Sequence, residues 1–242
     1  MTDIPDNTDP GATIVLLRAE LERAQREHHR LTRELHHRVR NNLQIVSSLL
    51  ALTARDAEDP ALVSSLADIA ARVDTLTRAQ HWIYEDVTQR GVDLQALVSD
   101  LCTGLERRLK SQCHRRVRMR CLTAGLFVSA ELAVPISFLL TEFAGLAARH
   151  GVAGPLHVAL ALAADADRLT LAVASRSFVG HDYLMQQPDQ PAARLILGMV
   201  RQLGGSLAYD GNRGRYSITF ARWAGSAAGE PPPQSAGCRE QP

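Results

Sequence analysis

The sequence predicts an α+β protein: a long N-terminal helical hairpin followed by a sheet layered with helices. Three observations predict it. From Thr13 to Arg55 neither proline nor glycine interrupts a run dominated by Glu, Arg, Leu and Ala, which reads as one helix of roughly 60 Å at 1.5 Å per residue. The segment Asp56-Ala-Glu-Asp59-Pro60 then stops that helix and starts another, since acidic residues and a proline suit a helix N-terminus. After Gly91 the pattern changes to short alternating runs separated by turn residues, the mark of strands mixed with helices.

In the first helix Leu31, Leu35, Val39, Val46, Leu49 and Thr53 form an apolar seam. The second helix, Pro60 to Tyr84, carries the seam Leu62, Leu66, Ile69, Val73, Leu76 and Ile83, with Gln80 in the same register. A lone hairpin cannot hide both stripes. Pairing two hairpins into a four-helix bundle does, so a homodimer is expected on burial grounds, a cover from the C-terminal half of the same chain being the alternative.

The second half reads as a helix over Val92–Lys110, a strand over Arg116–Leu122 and a helix over Ala130–His150. Strands Leu156–Ala163 and Arg168–Ser175 follow, joined by a turn at 165–167. A helix over Pro191–Leu203 ends at Gly204–Gly205, a C-terminal signal. Ser206–Asp210 and Arg215–Ala221 close the domain as a hairpin across residues 211–214. The division is thus a leader at 1–12, a helical hairpin at 13–90, an α/β domain at 91–223 and a disordered tail at 224–242, where core-forming residues are absent.

Charge narrows the function. With 27 basic and 26 acidic side chains, the chain lacks the basic excess that nucleic acid or an anionic membrane would select. No run approaches eighteen consecutive apolar residues, and the start MTDIPDNTDPG is the reverse of a signal peptide. A cytoplasmic protein is expected. Cys102, Cys113, Cys121 and Cys238 show no C-x-x-C spacing and predict neither a zinc site nor a disulfide framework.

The informative stretch is Glu34-Leu-His36-His37-Arg38-Val-Arg40-Asn41-Asn42-Leu-Gln44-Ile-Val-Ser-Ser48. Helical spacing sets His36 at the edge of the apolar seam and His37 in line with Asn41, Gln44 and Ser48, a polar stripe. An exposed imidazole is a nucleophile at cellular pH. Arg38 and Arg40 can attract an anion, and Asn41 and Asn42 can donate hydrogen bonds to its oxygens. Glu34, one turn earlier, can orient the ring. Taken alone, the same stretch equally describes a solvated bundle surface.

The string ELHHRVRNNLQIVSSLL (34–50) resembles the dimerisation and phosphoacceptor box of HWE-type sensor histidine kinases. The resemblance continues in outline through Asp59-Pro60, RAQHWIY (78–84) and Val92-Asp93-Leu94. It implies that His37 carries a phosphoryl group, and that Glu34, Arg38, Asn41, Asn42 and Gln44 meet the phosphoryl group or a receiver partner. His81-Trp82 is a packed pair, away from the H…W-x-E constellation of those kinases.

The same resemblance implies an ATP-binding domain in the second half, with its chemistry missing. Where an asparagine box with a magnesium-holding Asn is expected, Glu142 is followed by Leu146, and an alkyl side chain cannot ligate a hard cation. Where an adenine-binding Asp and a Gly are expected, Val173-Ala-Ser175-Arg176-Ser177 stands. The phosphate-cradling glycine segment becomes Gln190-Pro191-Ala-Ala-Arg194-Leu195. The implied fold is therefore a dimeric four-helix bundle followed by a degenerate histidine-kinase ATPase-like α/β sandwich.

This combination resembles the dimeric histidine phosphotransferases of phosphorelays, the ChpT-like group. What it implies is a homodimer that shuttles phosphoryl groups between aspartates of response-regulator receiver domains, fed by an upstream hybrid or sensor histidine kinase. Such a protein needs no cofactor of its own, magnesium coming with the receiver, and no nucleic-acid or membrane partner. A divergent ATP-dependent kinase and a non-catalytic receiver-binding module are the alternatives.

Overall fold

A computed structural model describes residues 10–84, 91–123, 125–151, 154–165 and 167–222. The expected tail, and all but the last residues of the expected leader, lie outside this range. The chain divides into two compact units, Met1–Val92 and Asp93–Pro242.

In the first unit, α1 spans Pro10–Asp56, 47 residues, and α2 spans Pro60–Tyr84, 25 residues. Helix α1 begins at Pro10, inside the expected leader, because proline is tolerated in a first turn where no N–H partner is needed. Asp59 caps α2: its Oδ1 accepts from the Ala61 N–H at 2.8 Å, and its carbonyl accepts from Val63 at 3.0 Å. The expected α2 seam needs one correction. The fully buried stripe is Ala71, Thr75 and Ala79, whereas Leu62 and Ile69 stay exposed and Leu66, Val73, Leu76 and Ile83 are half-buried. Small side chains let a neighbouring backbone approach closely, so they take the most enclosed positions. The Thr75 hydroxyl is satisfied by the Ala71 carbonyl at 2.8 Å.

The two-residue strand β1 (Val92–Asp93) straddles the boundary between the units, and Asp93 ends it as the N-cap of α3 (Leu94–Cys113). The Asp93 carboxylate accepts from the Gln95 and Ala96 N–H groups at 2.9 and 3.1 Å. Next come β2 (Val117–Thr123), β3 (Phe127–Val128), α4 (Ala130–Arg149), β4 (Leu156–Asp165) and β5 (Arg168–Ser175). A 3-10 turn at Arg176–Phe178, the short α5 (Tyr183–Gln186), α6 (Pro191–Gln202), β6 (Ser206–Asp210) and β7 (Arg215–Ala221) complete it. The sheet order is β2-β4-β5-β7-β6, with β2 parallel to β4 and all other pairs antiparallel; β1 and β3 form a separate ladder.

The sheet is apolar on one face. Leu156, Val158, Leu160 and Leu162 of β4, Leu169, Leu171 and Val173 of β5, and Tyr216, Ile218 and Phe220 of β7 are buried at alternate positions. Helix α4, from Leu132 to Ala147, is buried along most of its length. It is the one helix among the described residues long and apolar enough to cross a membrane, and its apolar window is 72% buried in the fold. Gly214 makes the β6–β7 turn possible. Its φ is +56°, and a Cβ there would lie 2.5 Å from the Ser175 carbonyl oxygen.

Three features depart from the sequence reading. The β1–β3 ladder, which joins residues 92–93 to 127–128, the 3-10 turn and α5 were unexpected; the last two are local devices, closed by Ser175 Oγ accepting from Ser177 N–H and Asp182 Oδ1 from Met185 N–H, both at 3.3 Å. The cysteine reading is corrected: Cys102 and Cys121 form a disulfide across 19 residues, while Cys113 is free. The pairing is set by the packing of α3 beside β2, a tertiary relation that local spacing does not encode.

Candidate functional site

Helical geometry makes one open polar line on α1. His37, Asn41, Gln44 and Ser48 are all exposed, and the Ser48 hydroxyl is tied down to the Gln44 carbonyl at 2.9 Å. Asn42, Arg38 and Glu34 are exposed beside this line. His37 therefore presents its ring to solvent.

The charged neighbours divide differently from the sequence expectation. Glu34 Oε1 accepts from Arg38 Nη2 at 2.5 Å, and its other oxygen lies 3.9 Å from Arg30. The carboxylate expected to orient the His37 ring is thus engaged with guanidinium groups. Both partners are exposed, so this pair is worth a few tenths of a kcal/mol, about 0.3–0.5, and an arriving anion can open it. Arg40 is used otherwise: its Nη2 lies 2.7 Å from His81 Nδ1 on α2. A guanidinium can only donate, so Nδ1 is the accepting atom of this contact. The His81 and Trp82 rings meet edge-on at 5.8 Å. The side chain of His36 lies outside the described residues.

Around this line α1 is apolar and open. Leu31, Leu35, Val39, Ile45, Val46, Leu49 and Leu52 are each 40–62% exposed, while Leu43, Ser47, Leu50 and Ala54 are half-buried. The seam expected from the sequence, Leu31 to Thr53, is the open stripe: every member is exposed within the chain. Only the structure separates the residues covered within the chain from those left open.

In the second unit the first two positions compared with nucleotide boxes lie mostly within packed structure, Arg176 excepted; at the third, Gln190, Pro191 and Arg194 are exposed while Ala192 and Ala193 are buried. Leu146 is buried in α4, and Glu142, 5% exposed, lies one turn before it. Ser177 donates its hydroxyl to the Ala147 carbonyl at 2.9 Å, and Phe178 is fully buried. An aromatic cluster that the sequence reading missed packs here. The ring of Phe143 lies 5.2 Å from that of Tyr216 and 6.4 Å from that of Phe178. Tyr216 meets Phe178 at 5.2 Å and Tyr209 at 4.8 Å, and Tyr183 stacks on His150 at 3.8 Å. These residues are scattered over 74 positions from Phe143 to Tyr216, so no local pattern announces them.

Their chemistry is structural. Burial, then the Asp182 carboxylate, drives the Tyr216 phenol well above its ordinary range, and its hydroxyl donates to Asp182 Oδ1 at 3.1 Å. Burial likewise raises the Tyr209 phenol, which donates to the Phe178 carbonyl. Burial, followed by the charges of Arg149 and His181, lowers the His150 imidazole below its ordinary value. Among the described residues no group of three or more His, Cys, Asp or Glu side chains is placed to hold a metal ion.

Comparison with known proteins fits this architecture. Residues 34–109 match the model of the histidine kinase family HisKA_2. No curated protein matches the chain significantly. Among solved structures, the chain is similar to the histidine kinase domain of the Erythrobacter litoralis EL346 blue-light activated histidine kinase. The TM-score is 0.55 at 16% identity, covering 75% of this chain and 94% of that one. Against the longer structure of the same kinase the TM-score is 0.54 at 17% identity, over 66% of this chain; the match spans 54% of that protein's length. The segment bearing His37 thus carries a histidine kinase family pattern, and the chain has the fold of a histidine kinase domain.

Proposed function

We propose that this protein is a histidine phosphotransfer protein of a two-component phosphorelay, working as a homodimer through His37. One observation carries the reading: His37 stands exposed on an open polar line of a histidine-kinase hairpin, while the α/β unit presents buried Leu146, Ser175 and Ser177 at the positions compared with nucleotide boxes. The second unit is then a degenerate ATPase-like domain kept as a recognition platform.

In this mechanism a receiver domain docks on the hairpin. The lone pair of a neutral His37 ring nitrogen attacks the phosphorus of the receiver's aspartyl phosphate in line. An N–P bond forms, the P–O bond to the aspartate breaks, and the carboxylate leaves with the electron pair. Reversal onto a second receiver completes the relay. Phosphoryl transfer needs mostly positioning and charge neutralisation. Arg38 and the amides of Asn41, Asn42 and Gln44 offer donors to the phosphoryl oxygens or the partner's surface; Glu34 releases Arg38 for that purpose. The receiver supplies magnesium. Upstream stands a hybrid or sensor histidine kinase, and all partners meet in the cytoplasm.

Dimerisation follows from the open stripe of Leu35, Val39, Val46 and Leu49. Burying each such side chain contributes about 1.5–3 kcal/mol, and a second hairpin offers the matching surface.

The family match itself favours a second reading, ATP-dependent autophosphorylation. Purified protein incubated with labelled ATP and magnesium, or with a labelled phospho-receiver, separates the two. Label reaching His37 only from the receiver supports the relay. Label from ATP alone overturns it.

A further inference from the structure

The two arginines beside His37 are held in different ways. Arg38 is exposed, and its Nη2 meets the Glu34 carboxylate, whose negative charge offsets its own. Arg40 is half-buried, and its Nη2 lies 2.7 Å from Nδ1 of His81 on α2. Among the described residues no carboxylate pairs with Arg40. An imidazole nitrogen accepts a hydrogen bond without bringing a negative charge. The contact therefore orients the guanidinium and leaves its positive charge to act elsewhere. Were fastening α1 to α2 its whole purpose, a carboxylate at position 81 would hold the arginine more strongly.

Position gives that charge a use. Arg40 follows His37 by three residues, one turn along the same side of the helix, where β-carbons lie about 5–6 Å apart. Asn41, exposed and four residues on, flanks His37 on the other side. A phosphoryl group on His37 would thus stand between an amide donor and a guanidinium. His81 takes one N–H of the guanidinium fork, and the rest can meet an anion.

We infer that His81 is a positioning residue for phosphoryl transfer: it holds the Arg40 guanidinium beside His37, where it neutralises the oxygens of the transferring group. The inference rests on His37 as the phosphoryl acceptor, as proposed above, and gives the second helix of the hairpin a part in the chemistry.

Phosphoramidate, a small molecule that phosphorylates imidazoles without a partner protein, tests it on the full-length chain. An N–P bond forms at His37, the donor's P–N bond breaks, and ammonia leaves with the electron pair while the ring's N–H proton passes to water. Phosphohistidine at His37 is measured as the difference from His37→Ala. His81→Phe and Arg40→Met should each slow its formation about 10-fold, the loss of a charge-assisted hydrogen bond to the transferring group. The double variant should be no slower than Arg40→Met, because the two side chains act as one unit. His81→Asn, whose Oδ1 stands in for Nδ1 as acceptor, should keep the rate within about 2-fold of wild type. Full rate in His81→Phe, equal slowing in His81→Asn and His81→Phe, additive losses in the double variant, or slowing that tracks lost helicity would overturn the inference. If the expected pattern holds with phosphoramidate while a phospho-receiver leaves the wild type unlabelled, the inference stands and the relay falls. No phosphohistidine at His37 from either donor overturns both.

Discussion

The two units spend their apolar residues in opposite ways. The α/β unit buries one sheet face: Leu139, Leu140, Phe143, Leu169, Val173, Phe178, Ile218 and Phe220 are fully buried, and small or polar residues occupy the outer sheet face apart from the exposed Leu122. The hairpin leaves Val39, Val46, Leu49, Leu52, Leu62 and Ile69 at least 40% exposed. A surface of that kind on a stable protein marks an interface. The difference teaches that one unit buries its apolar face by itself, while the other leaves an apolar stripe open, which the proposed dimer would cover. His37, the proposed phosphoryl acceptor, sits on the open unit.

The sharpest way to break this contrast is to open the unit that buries its own apolar face. Phe178→Ala removes a fully buried ring from the aromatic cluster and should destabilise the second unit by about 3–5 kcal/mol. Chemical denaturation with Trp-independent far-ultraviolet dichroism checks it, and a cost under 1 kcal/mol would show that the cluster is loosely packed. Leu49→Glu acts on the other unit. It should leave the monomer's fold intact and weaken dimerisation by roughly 10–100-fold, the loss of about 1.5–3 kcal/mol of burial, measured by sedimentation equilibrium. An unchanged association constant would place the interface elsewhere.

The smallest effect is a pH dependence confined to the second unit. Because the folded His150 imidazole titrates below its ordinary value, the unfolded chain binds its proton first as pH falls. Stability is therefore complete above about pH 6.5 and declines below it, toward the depressed folded value. His150→Phe keeps the stack on Tyr183 and should flatten that part of the profile between pH 7 and 5.

Much of this was legible in the sequence, for identifiable reasons. Helix α2 was bounded correctly at Pro60 and Tyr84 because Asp59-Pro60 is a capping signal with a mechanism. The closing strands Ser206–Asp210 and Arg215–Ala221 were located by the glycines of their turn. His37 was assigned to an exposed line by helical periodicity alone. What escaped was tertiary. The Cys102–Cys121 bond, the Arg40–His81 contact and the Phe143–Phe178–Tyr216 cluster join residues 19 to 73 positions apart. Periodicity reports which face a residue lies on. It does not report what covers that face, so the seam of Leu31, Leu35, Val39, Val46 and Leu49 stands open while Leu43 and Leu50 beside it are half-buried.

The central claim is that His37 accepts a phosphoryl group from a receiver aspartate and not from ATP. The most direct measurement mixes a purified, radiolabelled phospho-receiver with the wild-type chain and with His37→Ala, then follows acid-labile, base-stable label on each. The account predicts label on the wild-type chain, none on His37→Ala at unchanged dimer mass, and none on either from labelled ATP. Equal labelling of the two chains by the receiver, or labelling of the wild type by ATP, would contradict it.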